Sequence, residues 1–451
     1  MVAILLHKRG EIRRNKIEAI LNVNRRQFIK TSSASALMAG MFTVAFAKGK
    51  EDPAVGLPLA PWRKGHYQVH FIHTGAGEST FHIFPDGTTM LLDCGDMDWG
   101  EELKHLYVPR LPNASRHAAE WVARYVKRVN PSGDHVDWLH VSHLHRDHMG
   151  HAKWIAGRDN RLGLDYFLSG FTLAAEQLHF SRAIDRGYPD FSDPVPYVED
   201  HDRMVEHLKN LYTYLGKRDG LVHEKFKLGA VDQICQLKNP VDGFHVRNIC
   251  VNGRIAMPDG TVVDPLHQSD GTFIKVARSA WVENPLSCGC VFSYGKFRYY
   301  SAGDFSQRLE FPDGTEVYPE KFIGKAAGKV NVAKLNHHGH HCMERECVCE
   351  LAARVWIACV HDQHHVTEDT MSRIADRNIY SGERIICPTV FTAERRAADF
   401  DKPWYKDVAS PTYCGTHIVL DVPPGGETYS LTFVPAVDES MKVSSVMRFI
   451  S

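Results

Sequence analysis

The stretch His140–His151, HVSHLHRDHMGH, packs five histidines and an aspartate into twelve residues. Its useful subset is His143, His145, Asp147 and His148, spaced H-x-H-x-D-H. Alternate residues at an extended strand end face one way, so His143 and His145 can converge on one ion. Asp147 and His148 follow at the turn into a helix and can reach a second position beside it. Neutral imidazole and carboxylate are the ligands of a hydrolytic zinc, which keeps a position for water. Water held by such an ion falls from a pKa of about 15.7 to about 7 and supplies hydroxide at neutral pH. The bland alternative is a solvated histidine-rich loop, and the flanking sequence argues against it.

Those side chains need elements to position them. VDWLHVSH is an apolar run ending in polar residues, as in a buried strand that feeds the histidine loop. YQVHFIHTG, STFHIFP and TTMLLDCG alternate like short strands, with Pro85-Asp86-Gly87 as a hairpin turn. From Arg116 to Val129, Ala118, Trp121, Val122 and Tyr125 recur at helical spacing. Residues 152–275 read as a helical insertion, partly a lid, on the evidence of TLAAEQLHFSRAI and DRMVEHLKNLYTYLGK. Strand patterns return in CGCVFSYGKFRYYSAGD, GKVNVAKLNHHGH, ARVWIACVHDQHH and RIICPTV, with a helix at TEDTMSRIADR. HIVLDVPPGGETYSLTF reads as a closing hairpin within a strand extension over 416–451. Two blocks of strands with helices between them predict an α+β chain, an αβ/βα sandwich spanning 65–415.

The 451 residues are 43% hydrophobic and 24% charged, a globular balance with room for a large core. Net charge is −1, but residues 1–47 hold eight Lys/Arg against two Asp/Glu, leaving 45 against 52 in the rest. A body at −7 offers no general field for gathering nucleic acid, which makes a nuclease the weaker reading. Eleven cysteines without framework spacing argue against a disulfide scaffold. Cys342, Cys347 and Cys349 lack the C-x-x-C spacing of a structural zinc site, and Cys288, Cys290, Cys359 and Cys387 fall in strand patterns as packing.

Residues 1–47 end in Arg25-Arg26, Phe28 and Lys30, a weakly apolar run from Ala34 to Phe46, and Ala45-Phe46-Ala47. A basic region, a short apolar stretch and an A-x-A end make an export signal too short to span a bilayer. It resembles a twin-arginine signal, which would make the export machinery a partner and the periplasm or exterior the destination. An amphipathic helix with a chance Arg pair is the alternative. Residues 48–64 then read as a Pro-rich linker.

The chain as a whole resembles the metallo-β-lactamase-like hydrolases. H-x-H-x-D-H matches that family's second motif, LLDCG its first with Asp93 at a strand end, and SAGD the later strand whose aspartate, here Asp304, bridges two metals. FIHTGAGESTFHIFPDGTTMLLDCG, ENPLSCGCVFSYGKFRYYSAGD and KLNHHGH are similar to one branch, which holds the hydrolase domain of competence-type DNA-uptake proteins and the phosphorylcholine esterases. The resemblance covers roughly residues 66–390. It implies a four-layer αβ/βα framework and two divalent ions, zinc before manganese or iron. It implies as metal ligands His143, His145, Asp147, His148, Asp304, one of His337 and His338, with the lean toward His337, and His365. Asp147, His338 and Asp93 are the residues expected to serve catalysis. Asp93 would act by orienting a ligand, and the histidine of the pair that is not a ligand would reach the leaving group. The implied reaction is hydrolysis of a small-molecule or envelope phosphoester.

The chain departs from that branch in three places. Glu78 stands where an aspartate is usual, and His340 where a small hydroxyl is. The third-motif histidine could be any of His179, His201, His207, His223, His245 or His267. If that ligand is missing, a non-catalytic or sensory metal-binding protein becomes the competing reading, and an iron-using relative a further one. Export carries its own test. Arg25→Lys/Arg26→Lys should trap precursor in the cytoplasm, and mature protein cut near Ala47 found outside in that variant would exclude the twin-arginine route.

Overall fold

A computed structural model describes residues 52–97, 106–153, 155–194, 203–267, 283–305, 308–310 and 314–451. The export-signal reading, His201 and the start of the Pro-rich stretch lie outside these residues. Contacts divide the chain at Asp52, and the compact unit runs from Pro53 to Ser451.

The first half of this unit forms β1 (Tyr67–Phe71), β2 (Thr80–Ile83), β3 (Thr89–Leu92), helix α1 (Ala118–Val129), β4 (His135–His140) and the short helix α2 (Arg146–Met149). A hairpin β5 (Gly157–Arg161) and β6 (Leu164–Leu168) follows, then α3 (Phe171–Ala174), β7 (His179–Asp185), α4 (Met204–Arg218) and β8 (Val222–Lys225). Next come β9 (Phe244–Val251), β10 (Arg254–Ala256), β11 (Val262–Val263), β12 (Gly289–Tyr294) and β13 (Phe297–Ser301). After the small hairpin β14 (Leu309–Glu310) and β15 (Glu316–Val317), the chain makes α5 (Glu320–Ala327), β16 (Val332–Lys334) and α6 (Arg345–Leu351). Then follow β17 (Val355–Ala358), α7 (Glu368–Ala375), β18 (Ile385–Pro388) and α8 (Ala393–Asp399). The last strands are β19 (Thr416–Val422), β20 (Thr428–Pro435) and β21 (Ser445–Ile450).

Two large sheets result. One has the order β21-β20-β19-β1-β2-β3-β4-β7-β8 and the other β11-β10-β9-β12-β13-β16-β17-β18. The inner residues of both meet in one apolar layer, where Tyr67, Phe71, Met90 and Trp138 face Phe292, Tyr299, Val332 and Ile357. The outer face of the first sheet packs Ile83, Leu91 and Leu139 against Val122 and Val126 of α1 and Leu208 and Leu211 of α4. The second covers Ala333 and Trp356 with Ile323 of α5, Val348 of α6 and Met371 of α7. Strands buried on both faces carry near-continuous apolar runs, and that is how VWIA and IICP read.

Residues 152–275 differ from the expected helical insertion. They hold α3 and α4, but β7 and β8 extend the first sheet and β9–β11 form the edge of the second. The helical spacing of TLAAEQLHFSRAI ends at α3, and from His179 the segment pairs in parallel with β4. Long-range pairing has overridden local pattern there. The stretch expected as a linker is also tied down: Gly56 and Leu59 donate backbone hydrogen bonds to Val443 and Met441.

The parallel strands matter most for the site. β3 and β4 are parallel neighbours in one sheet, and β13, β16 and β17 in the other. Asp93, the histidine loop, Asp304, His338 and His361 all follow the C-terminal ends of these strands. Backbone bonds clamp α2 in place: Glu78 N–H donates to the Asp147 carbonyl at 2.8 Å and Cys94 N–H to the His148 carbonyl at 2.7 Å. Gly95 lies so close that a Cβ there would stand 2.0 Å from the Asp147 carbonyl oxygen. Gly95→Ala should therefore push the Asp147 loop aside, lowering stability by about 1–3 kcal/mol and weakening metal uptake. Unchanged urea unfolding and unchanged metal content would show that the clamp is dispensable.

Candidate metal centre

Four donor atoms meet where the two sheets face each other. His148 Nε2 and His338 Nε2 are 3.1 Å apart. Asp304 Oδ2 lies 3.1 Å from the first and 3.2 Å from the second. Asp147 Oδ2 lies 3.1 Å from His338 Nε2 and 3.7 Å from His148 Nε2. Zinc bonds of ~2.0–2.1 Å in a tetrahedron put neighbouring ligand atoms roughly 3.3–3.4 Å apart. His148, His338 and Asp304 have the mutual separations of a zinc ligand shell; Glu78 falls in the same donor group, and Asp147 in an adjoining one with His338 and His361.

Hydrogen bonds on the far side of each ring fix which nitrogen faces inward. His148 Nδ1 donates to Asp93 Oδ2 at 2.8 Å, and His338 Nδ1 donates to the Cys359 carbonyl at 2.9 Å. Carboxylate and carbonyl accept only, so each neutral ring presents the lone pair of Nε2 to the cluster. Asp93 also accepts from Ser142 N–H at 2.7 Å and Ser142 Oγ–H at 2.6 Å. The same hydroxyl takes the Nδ1–H of His143 at 3.0 Å. One buried carboxylate thus orients His148 directly and His143 through a serine.

A second set of donors adjoins the first: His143, His145 and the shared Asp304. His143 Nε2 is 3.1 Å from His145 Nδ1 and 3.9 Å from Asp304 Oδ2. The other oxygen of Asp304, Oδ1, is buried without a hydrogen-bond partner. Oδ2 of Asp304 lies near both donor sets, which suits a carboxylate shared between two ions. Glu78 stands behind His338, 3.5 Å from its Nδ1, and is held by the Lys334 ammonium at 2.7 Å. Lys334 also donates to the Gly303 carbonyl, beside Asp304.

The electrostatics call for a cation. Burial pushes the Asp147 and Asp304 carboxyls up, but the neighbouring imidazoles outweigh it and hold both well below the usual range. Burial pushes His148 and His338 down. The surrounding carboxylates, Asp304 foremost, reverse this, leaving His148 well above its ordinary value and His338 at about 9. Without a metal the cluster must hold protons between facing nitrogens, and a divalent ion can replace them.

The structure brings together most, not all, of the residues singled out in the sequence. His143, His145, Asp147, His148, Asp304 and His338 supply donor atoms, while Asp93 orients two of the rings. His337 does not join a donor set; its ring sits 6.3 Å from that of His338 and 5.2 Å from that of His340. His337 and His338 both adopt positive φ, 44° and 52°, followed by Gly339 at 84°. That left-handed run turns His338 inward rather than His337, toward which the resemblance leaned. Such backbone is costly and persists where the surroundings enforce it; here His338 is held by Cys359. His365 stacks on His338 at 5.2 Å without entering a donor set. His361 enters instead, its Nε2 3.6 Å from Asp147 Oδ2. Its position three residues beyond β17 was the available signal. Of the opening five histidines, His140 stacks on Phe226 and His151 binds the Lys153 backbone N–H.

None of the described candidates for a third-motif histidine reaches the site. His179 binds Asp219, His267 binds Asp264, and His223 stacks on Tyr188. His207 is buried on α4, and His245 lies in β9. Cys342, Cys347 and Cys349 join no donor group among the described residues.

No family model and no curated protein matches the chain. Among solved structures, Zn(2+)-bound PqqB from Methylobacterium extorquens is a similar chain at 11% identity. The match covers 65% of this chain and 88% of that one, with a TM-score of 0.29. So loose a likeness assigns no role to any residue, and the donor geometry carries the site. Among the described residues no helix is long and apolar enough to cross a membrane.

Metal and protons compete for the same nitrogens, which sets a pH dependence. With His338 raised to about 9, the metal-free protein gains stability from its protonation. That gain is complete below about 6.5 and lost as pH rises through about 9. Zn2+ should therefore raise the melting temperature more at pH 9 than at pH 6.5. A Zn2+ effect that is flat or falls over this range would mean that His338 is not displaced by metal.

Proposed function

We propose that the protein is a metal-dependent hydrolase of phosphoesters built on a metallo-β-lactamase-like αβ/βα framework. The buried His148–His338–Asp304 donor cluster, with Asp304 shared with the adjoining His143 and His145, is the observation that carries this reading, because it offers one ion position beside another. Two facing sheets, each covered by helices on its outer side, support the four-layer arrangement. When bound, the ions would supply a nucleophile from water and accept charge developing on a phosphoryl oxygen. The sequence has no G-x-S-x-G elbow, so no serine nucleophile competes for that role.

The chain's own residues then divide the work. His148, His338, Asp147 and Asp304 hold, while Asp93 and Ser142 keep the rings turned the right way. His337 is half-buried beside the donor cluster. Burial lowers it to about 4, so at neutral pH its ring is uncharged and can give the leaving group a hydrogen bond, not a spare proton. The acidic body favours a small-molecule or envelope phosphoester over nucleic acid, and the Arg25-Arg26 segment favours twin-arginine export. A sensory metal-binding role is the second reading, favoured by the three-donor shell at His143 and His145.

One assay panel separates these readings: bis-p-nitrophenyl phosphate, p-nitrophenylphosphorylcholine, single-stranded DNA and a chromogenic cephalosporin, each with and without chelator. A phosphoester should be turned over, lost with chelator and restored by Zn2+ or Mn2+. Asp304→Ala should abolish both turnover and bound metal. His337→Ala should keep metal and lose about 10²–10³-fold in turnover. Metal uptake with no hydrolysis of any substrate in the panel would favour the binding module.

A further inference from the structure

A line of imidazoles leaves the metal centre on the side of β16 and β17. Ring centres are 4.4 Å apart for His338 and His361, and 4.7 Å for His361 and His365. They are 5.7 Å apart for His365 and His340, and 4.6 Å for His340 and His341. His361 and His365 are 5% and 8% exposed, His340 is half-buried, and the His341 side chain is 66% exposed. The series therefore runs from the buried cluster to solvent. Parallel strands bring it together, since His340 and His341 follow β16 while His361 and His365 follow β17. Thr367 pins the two loops: its N–H donates to the Gly339 carbonyl at 3.0 Å, and its Oγ1 accepts from His341 N–H at 3.0 Å.

Three observations point to a cation as what these rings serve. Two imidazoles bound to one zinc by bonds of ~2.0–2.1 Å have ring centres roughly 5 Å apart. The spacings along the line bracket that value, and they match the 5.0 Å between His148 and His338 in the centre. Second, His361 joins a donor group with Asp147 and His338, so the inner end of the line shares His338 with the centre itself. Third, Nδ1 of His361 and Nδ1 of His365 are buried without a hydrogen-bond partner. Leaving a buried polar atom unpaired is unfavourable, and neither nitrogen is used to hold the fold. His340 stands where the branch that this chain resembles has a small hydroxyl, so the line is not part of that branch's pattern.

We propose that His341, His340, His365 and His361 are an entry line for a divalent cation, passing it from solvent to the His148–His338–Asp304 cluster. This rests on the metallo-hydrolase reading and adds to it how the metal arrives. A divalent ion is costly to take out of water in one step. Imidazoles at this spacing replace its waters one at a time, each new nitrogen in place before the previous one lets go. Imidazole suits zinc and its neighbours rather than magnesium or calcium, so the line also selects by metal chemistry. The Asp369 carboxylate, 3.1 Å from His341 Nδ1, puts negative charge at the outer end.

Metal-uptake kinetics on the folded, metal-free, full-length protein test this. Zn2+ is mixed with the protein in a stopped-flow cell beside a zinc-indicator dye, and release is followed into excess chelator. His340→Gln and His341→Gln should each slow uptake and release by the same factor, about tenfold for the first. Zinc content by mass spectrometry, equilibrium affinity and the circular dichroism spectrum should stay as in the wild type, because a path changes rates and not end states. His364→Gln is the control: its side chain is equally exposed, at 66%, but it hydrogen-bonds to Asp362 and lies outside the line. Wild-type rates in both line variants would overturn the proposal, as would equal slowing by His364→Gln. A loss of zinc content or affinity in His340→Gln would also overturn it, by making that ring a ligand at the centre. His341→Gln, altered only at the exposed end, keeps the test decisive should His340→Gln fail to fold. Wild-type protein that takes up no Zn2+ would sink the metallo-hydrolase reading and the proposal with it.

Discussion

The Asp304 carboxylate meeting His148 and His338 is the interaction on which the rest depends. Asp304 and His338 come from the second sheet, through β13 and β16, while His148 comes from the first, through β4. Oδ2 of Asp304 is 3.1 and 3.2 Å from the two imidazole nitrogens, deep between the sheets. A buried carboxylate in such a place is costly unless positive charge offsets it. A cation at that point would also join the two halves of the fold. Backbone bonds reinforce the same junction, since Cys288 N–H donates to the Ser142 carbonyl at 2.9 Å.

Precision at the centre comes from groups behind it. Asp93, at the end of β3, accepts from His148 and twice from Ser142, and Ser142 passes the orientation on to His143. On the opposite side, Lys334 holds Glu78 and the Gly303 carbonyl. Both arrangements depend on parallel strands ending at a common level, which places side chains far apart in sequence side by side. The two sheets supply that level independently, and the loop clamped by Glu78 and Cys94 brings them into register.

The sequence made the H-x-H-x-D-H cluster legible because its geometry is local: an extended segment followed by one helical turn needs no tertiary information to place three imidazoles together. Asp93 and Asp304 were legible as acids at the ends of apolar strands. The His337/His338 choice was not, because it turns on left-handed backbone angles that two non-glycine residues adopt only under tertiary constraint. His361 and Lys334 were hidden for another reason: their relevance comes from β16 and β17 lying side by side, which spacing along the chain does not encode. Residues 152–275 misled through local periodicity, since a short apolar stretch such as LHFSRAI fits a helix or a strand until a partner strand decides.

Arg186 and Glu283 brace the histidine loop from the neighbouring strand of the same sheet. A buried ion pair of this geometry contributes little net stability over an apolar replacement, since desolvation consumes most of the attraction. Its value lies in what it fixes. Glu283 joins the Leu144 backbone to Arg186, so the histidine loop is braced from the end of β7, whether or not an ion is present. A ligand in that place would brace the loop only when metal was bound. The pair therefore separates two duties that a metal ligand would combine: holding the loop in shape and holding the ion. A loop kept rigid without an ion holds His143 and His145 in a preformed arrangement, so binding metal there would cost little reorganisation.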